Sequence, residues 1–273
     1  MTLSGSRVAE GATATDARHS MPEARQRRLL WLIGLLLIPL AWQLFAMIEE
    51  SPLIVGPIEV ARATVSMTFD GQLPGAALSS GLVFVTGLAL GTAAGLVIGI
   101  LIGRFRTVEL ILDPYVSALF ATPLVAVIPI LIVVLGFGFQ AKVVIVAMFA
   151  FFPVTINTAA GVRAVPTDFN ELAQTFCSSE LQTWREILVP GALPYIVTGV
   201  RLAVGRSLIA VVVAEFSTAV TGLGFLILRH SRRFNMAESL VPVIVLMCAG
   251  FALYSWLKHI ENRLAPWVLR PTE

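Results

Sequence analysis

A polar stretch between two long apolar segments decides the fold of this chain. Residues 171–190 read ELAQTFCSSELQTWREILVP, and apolar runs at about 140–162 and 194–219 flank them. A helix that crosses a bilayer needs about 20 apolar residues, and both runs reach that length. The stretch 171–190, called the polar island below, therefore connects two membrane-spanning helices. Its amphipathic pattern predicts a docking surface outside the lipid.

The composition of the whole chain agrees with a membrane location. Of 273 residues, 57% are apolar and 13% are charged, which is about half the charged share of a soluble globular domain. The net charge of +2 is too small to indicate nucleic-acid binding. Cys177 and Cys248 are interpreted as free thiols, and no metal site is predicted from them or from the three histidines.

Six apolar segments predict the architecture, because hydrocarbon offers no hydrogen-bond partners and each span must satisfy its own backbone as a helix. They lie at about 29–48, 78–103, 108–136, 140–162, 194–219 and 238–259. The first is interpreted as a retained helix, since a signal peptide would have an apolar core of only about 7–15 residues. The expected fold is an all-α integral membrane protein. Its organisation is a partly disordered N-terminal tail, a six-span domain and a C-terminal tail, at 1–28, 29–265 and 266–273.

Positive side chains predict the orientation, because cytoplasmic loops carry the excess of lysine and arginine. With a cytoplasmic N-terminus, fourteen of the 19 Lys and Arg residues lie inside and five lie outside. The outer residues are Arg62, Lys142 and a cluster of Arg229, Arg232 and Arg233 that opposes the assignment locally. Both termini and the polar island are then expected in the cytoplasm.

Glycines in the second span and prolines in the third and fourth indicate how the helices pack. Five glycines repeat at four-residue spacing from Gly87 to Gly103. Such a stripe predicts close approach of another helix, with a pore-lining role as the alternative. The next two spans contain Pro123, Pro153 and the polar Asn157, a pattern that suits either kinked helices around a transport path or a plain bundle.

Ionisable side chains inside spans are candidates for a translocation pathway, because a charge in hydrocarbon is costly. The fifth span contains Arg201, Arg206 and Glu215, and Asn157 adds a polar candidate in the fourth. Arg201 and Glu215 are separated by about 21 Å along a helix axis, so they cannot pair directly. Arg201 can instead anchor the topology by snorkelling. Glu215 can instead lie at the interface or pair with an arginine of another helix.

The chain lacks the sequence patterns of catalysis. No Gly-x-Ser-x-Gly, His-Glu-x-x-His or Gly-x-x-x-x-Gly-Lys-[Ser/Thr] pattern is present. We therefore predict no catalytic residue, and any ATP that drives transport is expected to bind another subunit.

The polar island resembles the cytoplasmic EAA loop of ABC-importer permeases, which contacts the ATP-hydrolysing subunit. The family pattern is Glu-Ala-Ala, three residues, Gly, nine residues and Ile-x-Leu-Pro. This chain has ELA at 171–173, Cys177 at the Gly position and ILVP at 187–190, with every spacing kept. The departures are Leu172, Cys177 and Val189. The second matters most, since Gly would allow a turn between two short helices.

The likeness extends through about residues 29–265. The segments GVRLA at 199–203, VAE at 213–215 and GLG at 222–224 look like the nitrate, sulfonate, taurine and bicarbonate branch of these permeases. The resemblance implies a six-helix type I permease bundle with a coupling loop at 163–193. It also implies a multi-pass location in the bacterial inner membrane.

The resemblance also implies partners and a mechanism. A homodimer of permeases would bind two cytoplasmic ATPases, which carry ATP and Mg²⁺, and would receive its solute from an extracytoplasmic binding protein. The chain itself would bind no cofactor. It would move a small anion, such as a sulfonate, nitrate or taurine, inward by alternating access. The residues implied in ATPase coupling are Glu171, Ala173, Phe176, Cys177, Trp184, Ile187 and Pro190, and we expect Phe176 and Trp184 to fill a groove on the ATPase. The two prolines Pro190 and Pro194 are expected to end the island helix before the fifth span.

Three alternatives stay open at this stage. A secondary transporter would use intramembrane carboxylates, for which Glu215, Glu109 and Asp113 are the candidates. An integral-membrane enzyme is disfavoured by the missing motifs. The same permease role with a neutral or cationic vitamin precursor is the third.

Overall fold

The described part of the chain is mostly helical, and no strand occurs in it. The computed structural model describes residues 20–49, 51, 53–166, 168, 175 and 178–264. The predicted N-terminal tail lies outside the described residues up to residue 19, and the predicted C-terminal tail lies wholly outside them. The helices are α1 (Ser20–Ile48), α2 (Pro57–Phe69), α3 (Gln72–Arg104), α4 (Arg106–Ala121), α5 (Leu124–Leu135), α6 (Phe139–Ala164), α7 (Glu180–Thr183), a π-helical turn (Trp184–Leu188), α8 (Val189–Thr218), α9 (Leu223–Ser231) and α10 (Met236–Leu264). The all-α prediction is confirmed.

The chain divides into two compact units, Met1–Glu59 and Val60–Glu273. Within the first unit, the side chain of Gln43 in α1 accepts the backbone N–H of Ile58 at 3.3 Å. The carboxylate of Glu59 accepts the N–H of Gly56, also at 3.3 Å. The first bond holds the start of α2 against α1, and the second is local to the start of α2.

Four helices in the described residues are long and apolar enough to cross a bilayer. They are Gln72–Arg104, Phe139–Ala164, Leu181–Thr218 and Met236–Leu257, which match four of the predicted spans. The first predicted span falls in α1, where Leu36–Ile48 forms the apolar part.

The predicted span 108–136 is bent sharply. Its two halves, α4 and α5, meet at an angle of 98°. Thr122 adopts an extended conformation and Pro123 follows it. Proline disfavours the helical conformation of the preceding residue and has no N–H to continue the ladder. The segment is therefore a broken span, or a re-entrant one, and the kink that its prolines suggested is a complete break between two helices.

The glycine stripe of α3 packs along α6. At each of the five glycines, an added Cβ would lie against backbone carbonyls or side chains of α6. At Gly99, for example, it would approach the carbonyl oxygen and the side chain of two α6 threonines, Thr155 and Thr158, each to 2.7 Å. The predicted close approach is confirmed, because only glycine lets the two backbones come this near.

The core of the second unit lies around α6. One apolar cluster joins α3, α5, α6 and α8 through nine buried side chains, including Val83, Ile128, Val146 and Val211. A second cluster contains Ile102, Val116, Phe152 and Ala159, and it joins α3, α4 and α6 near the other end of the helices. α6 therefore connects both ends of the bundle.

The polar island continues into the fifth span without a break. Residues Leu181–Thr218 form one helix of 38 residues. Its π-helical turn places the N–H of Val189 on the carbonyl of Trp184, five residues back. Pro190 and Pro194 lie in the first turns of α8. The prediction that these prolines end the island helix is wrong, since proline is tolerated in the first turn and a π turn accommodates an irregular ladder.

Candidate functional site

The described end of the polar island begins with a capped helix. The N–H of Ser179 donates to the side-chain oxygen of Gln182 at 2.9 Å, and the N–H of Gln182 returns to Ser179 Oγ at 3.3 Å. This reciprocal pair is a capping box, which satisfies two backbone donors at a helix start. It fixes where α7 begins.

The residues of this helix divide into a buried side and an exposed side. Thr183 and Leu188 are buried, whereas the side chain of Leu181 is 77% exposed. Trp184 and Ile187 are half-buried, and a cavity of about 290 Å³ lies between residues 164–166 and 186–191. The exposed side of the segment thus carries Leu181 among polar residues, and a hollow lies beside it. The docking role that the amphipathic pattern suggested stays a prediction.

Four of the predicted coupling residues cannot be placed. Glu171, Ala173, Phe176 and Cys177 lie outside the described residues. Pro190 is half-buried at the start of α8. The coupling roles assigned to these positions stay predictions.

The candidate pathway residues lie on α6 and α8 and make separate contacts. Asn157 donates to the carbonyl of Pro153 at 2.8 Å, within its own helix, and its Cβ faces Gly199. The guanidinium of Arg206 lies 4.8 Å from the ring centroid of Phe120, a cation–π contact. Arg201 is half-buried. The structure does not bring these side chains to one point.

Glu215 is the centre of a buried polar network. Its side chain is fully buried. One carboxylate oxygen accepts the hydroxyl of Ser80 at 2.7 Å, and the other accepts the N–H of Gly224 at 2.8 Å. The same Ser80 oxygen accepts the N–H of Leu223 at 2.8 Å. Glu215 therefore joins α3, α8 and the start of α9.

A buried lysine extends this network. Lys142 is 3% exposed and interacts electrostatically with Glu215. Its Nζ donates to both the carbonyl and the hydroxyl oxygen of Thr221, each at 2.9 Å. Gly222 has a φ of 111°, and a Cβ there would collide with the carboxylate of Glu215. A buried ion needs paired charge and hydrogen bonds, and this arrangement supplies both.

Family comparison identifies the chain. Residues 95–266, more than half of the sequence, match the inner membrane component of binding-protein-dependent transport systems. The chain belongs to this family. The resemblance noted in the sequence is confirmed, and the chain is called the permease below.

The permease is similar to transport permease proteins whose names give different solutes. It is 30% identical to the putative aliphatic sulfonates transport permease protein SsuC of Bacillus subtilis, over 93% of this chain and 94% of that protein. It is 29% identical to the formylaminopyrimidine transport permease protein ThiX of Halalkalibacterium halodurans, with 85% and 93% covered. It is also 29% identical to the nitrate import permease protein NrtB of Leptolyngbya laminosa, with 82% and 83% covered.

Solved structures support the fold. The permease superposes on a chain of the MetNI methionine ABC transporter, in an inward-facing conformation, with a TM-score of 0.52 and 20% identity, covering 70% of this chain and 94% of that one. An amino acid ABC transporter with histidines gives the same TM-score at 15% identity, with 75% and 94% covered. The expected ABC-importer permease bundle is confirmed.

Two further acidic residues of the permease lie in a surface ion-pair cluster. Glu109 contacts Arg106 at 2.8 Å and Arg163 at 2.7 Å. The same Arg163 approaches Asp113 at 3.7 Å. This cluster joins the start of α4 to the end of α6, and its side chains are partly exposed. Its geometry suits a structural role, in which the ion pairs hold two helix ends together.

Sequence reasoning found Glu215 but missed most of its partners. Ser80 and Thr221 are ordinary residues in sequence, and Lys142 appeared only in the charge count. One signal was available: Lys142 follows two glycines at the start of an apolar run, where a cation needs a partner.

Proposed function

We propose that the permease is the membrane subunit of an ATP-driven importer that moves a small anion into the cell by alternating access. Family membership supports this role, and the observation that carries it is the capped island helix with its exposed Leu181. Two copies of the permease would bind two cytoplasmic ATPases through their islands. An extracytoplasmic binding protein would deliver the solute.

A single continuous helix suits the coupling step. Leu181–Thr218 has 38 residues, or about 57 Å at 1.5 Å per residue. Its first turns carry the last part of the island, residues 181–190, and its last turn carries Glu215. Movement of the ATPases at the island would therefore displace the Glu215 network at the far end of the same rigid element. Alternating access needs such a two-state element, which both ends can bias.

The relatives favour an anionic solute. Sulfonate and nitrate appear in the names of two of them, and both are oxyanions. Formylaminopyrimidine, in the name of the third, keeps a vitamin precursor as the second candidate. A thermal-shift screen of the cognate binding protein against sulfonates, nitrate and pyrimidines separates the two. A shift with pyrimidines alone would replace the anion proposal.

Replacement of the exposed island leucine, Leu181→Ser, should reduce the ATPase that co-purifies with the permease at least severalfold. An exposed apolar anchor at the centre of an interface contributes about 1–2 kcal/mol or more.

Deletion of residues 171–186 should abolish co-purification. Glu171→Gln should lower transport-coupled ATP hydrolysis, because the carboxylate is proposed as a polar contact to the ATPase.

The control for Leu181→Ser is Phe69→Ser, which also replaces an exposed apolar side chain by serine. Phe69 is 87% exposed at the end of α2, just before the start of α3. The island comes after the end of α6, which lies at the opposite end of the bundle from the start of α3. Co-purification measured from matched membranes should be unchanged in Phe69→Ser. Full retention of the ATPase after deletion of 171–186 would overturn the coupling role.

Removal of the ion-pair carboxylates tests the secondary-transport alternative. Glu109→Gln and Asp113→Asn, singly or together, should leave the solute uptake rate within about twofold and cost at most about 1 kcal/mol, since exposed ion pairs contribute little. Uptake is measured in membrane vesicles with and without ATP inside. Uptake driven by an ion gradient without ATP, and lost in these variants, would establish the alternative.

A further inference from the structure

A cavity lies where the start of α3 meets the connection between α8 and α9. Its volume is about 260 Å³, and it is open to the surrounding medium. Gln72 and Ser79 line it from α3, Thr221 lines it from the connection, and Arg229 lines it from α9. The Glu215 network lies directly behind it, because Gly222 contributes to the cavity wall and contacts the carboxylate of Glu215.

The polar side of the cavity presents hydrogen-bond donors. No acidic residue in the described part of the chain pairs with Arg229. Thr221 Oγ1 accepts Ser79 at 3.2 Å and Lys142 at 2.9 Å. These two bonds use both lone pairs of the hydroxyl oxygen, so its hydrogen is left to donate. Guanidinium, amide and hydroxyl donors together favour an acceptor-rich group, such as an oxyanion.

The charges around the cavity have the matching sign. Lys142 and Arg229 are cations, and Glu215 is the anion of the network behind the wall. Two cations against one anion leave a net positive charge at the cavity. Because the carboxylate of Glu215 already accepts Ser80 and Gly224, it is turned towards those donors.

The remaining wall is apolar. Ala76, Val220, Phe225 and Leu226 complete the lining. Ala76 and Leu226 are buried, and Phe225 is half-buried. An inorganic anion such as nitrate would leave this apolar surface exposed to water, whereas a short alkyl or aryl group would cover it.

We propose that this cavity binds the solute of the importer as an organic oxyanion with a short apolar group, of the alkanesulfonate class, before it crosses the membrane. Arg229, Gln72 and Thr221 bind the oxyanion, and the apolar wall binds the attached group. This proposal rests on the import function proposed above and narrows its solute class.

Cysteine modification tests the cavity in the permease alone. Gly75 lines the cavity, and a Cβ at this position meets nothing within 4 Å, so Gly75→Cys can be introduced in a Cys177→Ser, Cys248→Ser background. The purified chain in phosphatidylcholine nanodiscs is treated with 2-sulfonatoethyl methanethiosulfonate, an anion, or with its trimethylammonium analogue, a cation. The anionic reagent should react about tenfold faster, because a positive site concentrates anions.

Competition then identifies the ligand class. Pentanesulfonate should slow modification of Gly75→Cys, whereas nitrate or pentanol at the same concentration should not. Arg229→Gln should remove both the reagent preference and the protection, and Arg229→Lys should restore part of the preference. Ser231→Cys is the matched control, since Ser231 is exposed between Arg229 and Arg232 in the sequence but does not line the cavity. Pentanesulfonate should not protect it.

Each contrary result overturns the proposal in a different way. Equal protection by nitrate would show that the site binds any small anion, whatever group is attached to it. Equal protection by pentanol would show that the site binds apolar molecules without regard to charge. If added phosphatidylglycerol protected Gly75→Cys and pentanesulfonate did not, the occupant would be a lipid headgroup. ATPase co-purification is measured with Arg229→Gln in the chain that keeps Cys177, so that loss of the importer role is distinguished from loss of this site.

Discussion

Replacement of Gly91 by leucine is expected to leave almost no folded permease in the membrane. A Cβ at this position would collide with the backbone carbonyl of Ala147 and approach the Cβ of Ala150 to 2.8 Å. Overpacking of a core costs about 1–3 kcal/mol even where side chains can shift. Here the obstacle is backbone of α6, so α3 must move away along the whole glycine stripe. The cost is therefore expected to exceed that range and to remove most of a typical stability of about 5–15 kcal/mol.

The matched control lies on the same helix. An added Cβ at Gly81 meets nothing within 4 Å, so Gly81→Leu should fold normally. Leucine also has the higher helix propensity, by up to about 1 kcal/mol relative to glycine. Fluorescence-detected size-exclusion chromatography and thermal denaturation in detergent measure both variants. A monodisperse Gly91→Leu with a wild-type melting temperature would show that α3 and α6 do not pack as described.

The glycine stripe and the spans were predictable because each depends on local sequence. A four-residue repeat of glycine places all five on one helix face, and about 20 apolar residues cross a bilayer whatever their neighbours are. α6 showed no such repeat, so the sequence could not identify it as the partner of α3. Helix pairing depends on shape complementarity between distant segments, which one sequence does not display.

Local rules misjudged the two proline-rich regions in opposite directions. Pro123 was expected to kink a span and instead separates two helices by 98°. Pro190 and Pro194 were expected to end a helix and instead lie in a continuous one. The difference lies in the residue before: Thr122 is extended, whereas the π turn keeps Val189 helical. Whether a proline breaks a helix depends on this context.

The partners of Glu215 could not be predicted for a related reason. Ser80 is 135 residues away in sequence, and Gly224 contributes only its backbone N–H. Burial identified Glu215 as costly and therefore as paired. An arginine of another helix was one of the alternatives for its partner, whereas the structure gives it a serine, a backbone amide and the electrostatic influence of Lys142.

Replacement of Glu215 by alanine is the second large effect that we expect. The substitution leaves the Ser80 hydroxyl and the Gly224 N–H without an acceptor in a buried site, and it removes the anion opposite Lys142. Removing one partner of a buried charged network costs about 3–5 kcal/mol. We expect a melting temperature lower by several degrees or more and loss of solute uptake, because the end of α8 is no longer held to α3 and α9.

Two controls separate this network from charge loss in general. Glu238 lies 2.6 Å from His230 but is 39% exposed, so Glu238→Ala should cost no more than about 1 kcal/mol. Glu215→Gln keeps the shape and one acceptor oxygen but places an amide donor against a second donor. Its stability should fall between those of the wild type and Glu215→Ala.

A double-mutant cycle with Lys142 decides whether the two charges act together. Lys142→Met alone leaves Glu215 without its cation, whereas the pair Lys142→Met, Glu215→Ala leaves neither charge buried. The double variant should therefore be more stable than the sum of the single losses predicts, by about 0.5–3 kcal/mol. Strict additivity in thermal or chemical denaturation would show that Lys142 serves only Thr221. Glu215 would then act through Ser80 and Gly224 alone. The positive charge of Lys142 near the cavity would be independent of the hydrogen bonds by which Glu215 joins α3, α8 and α9.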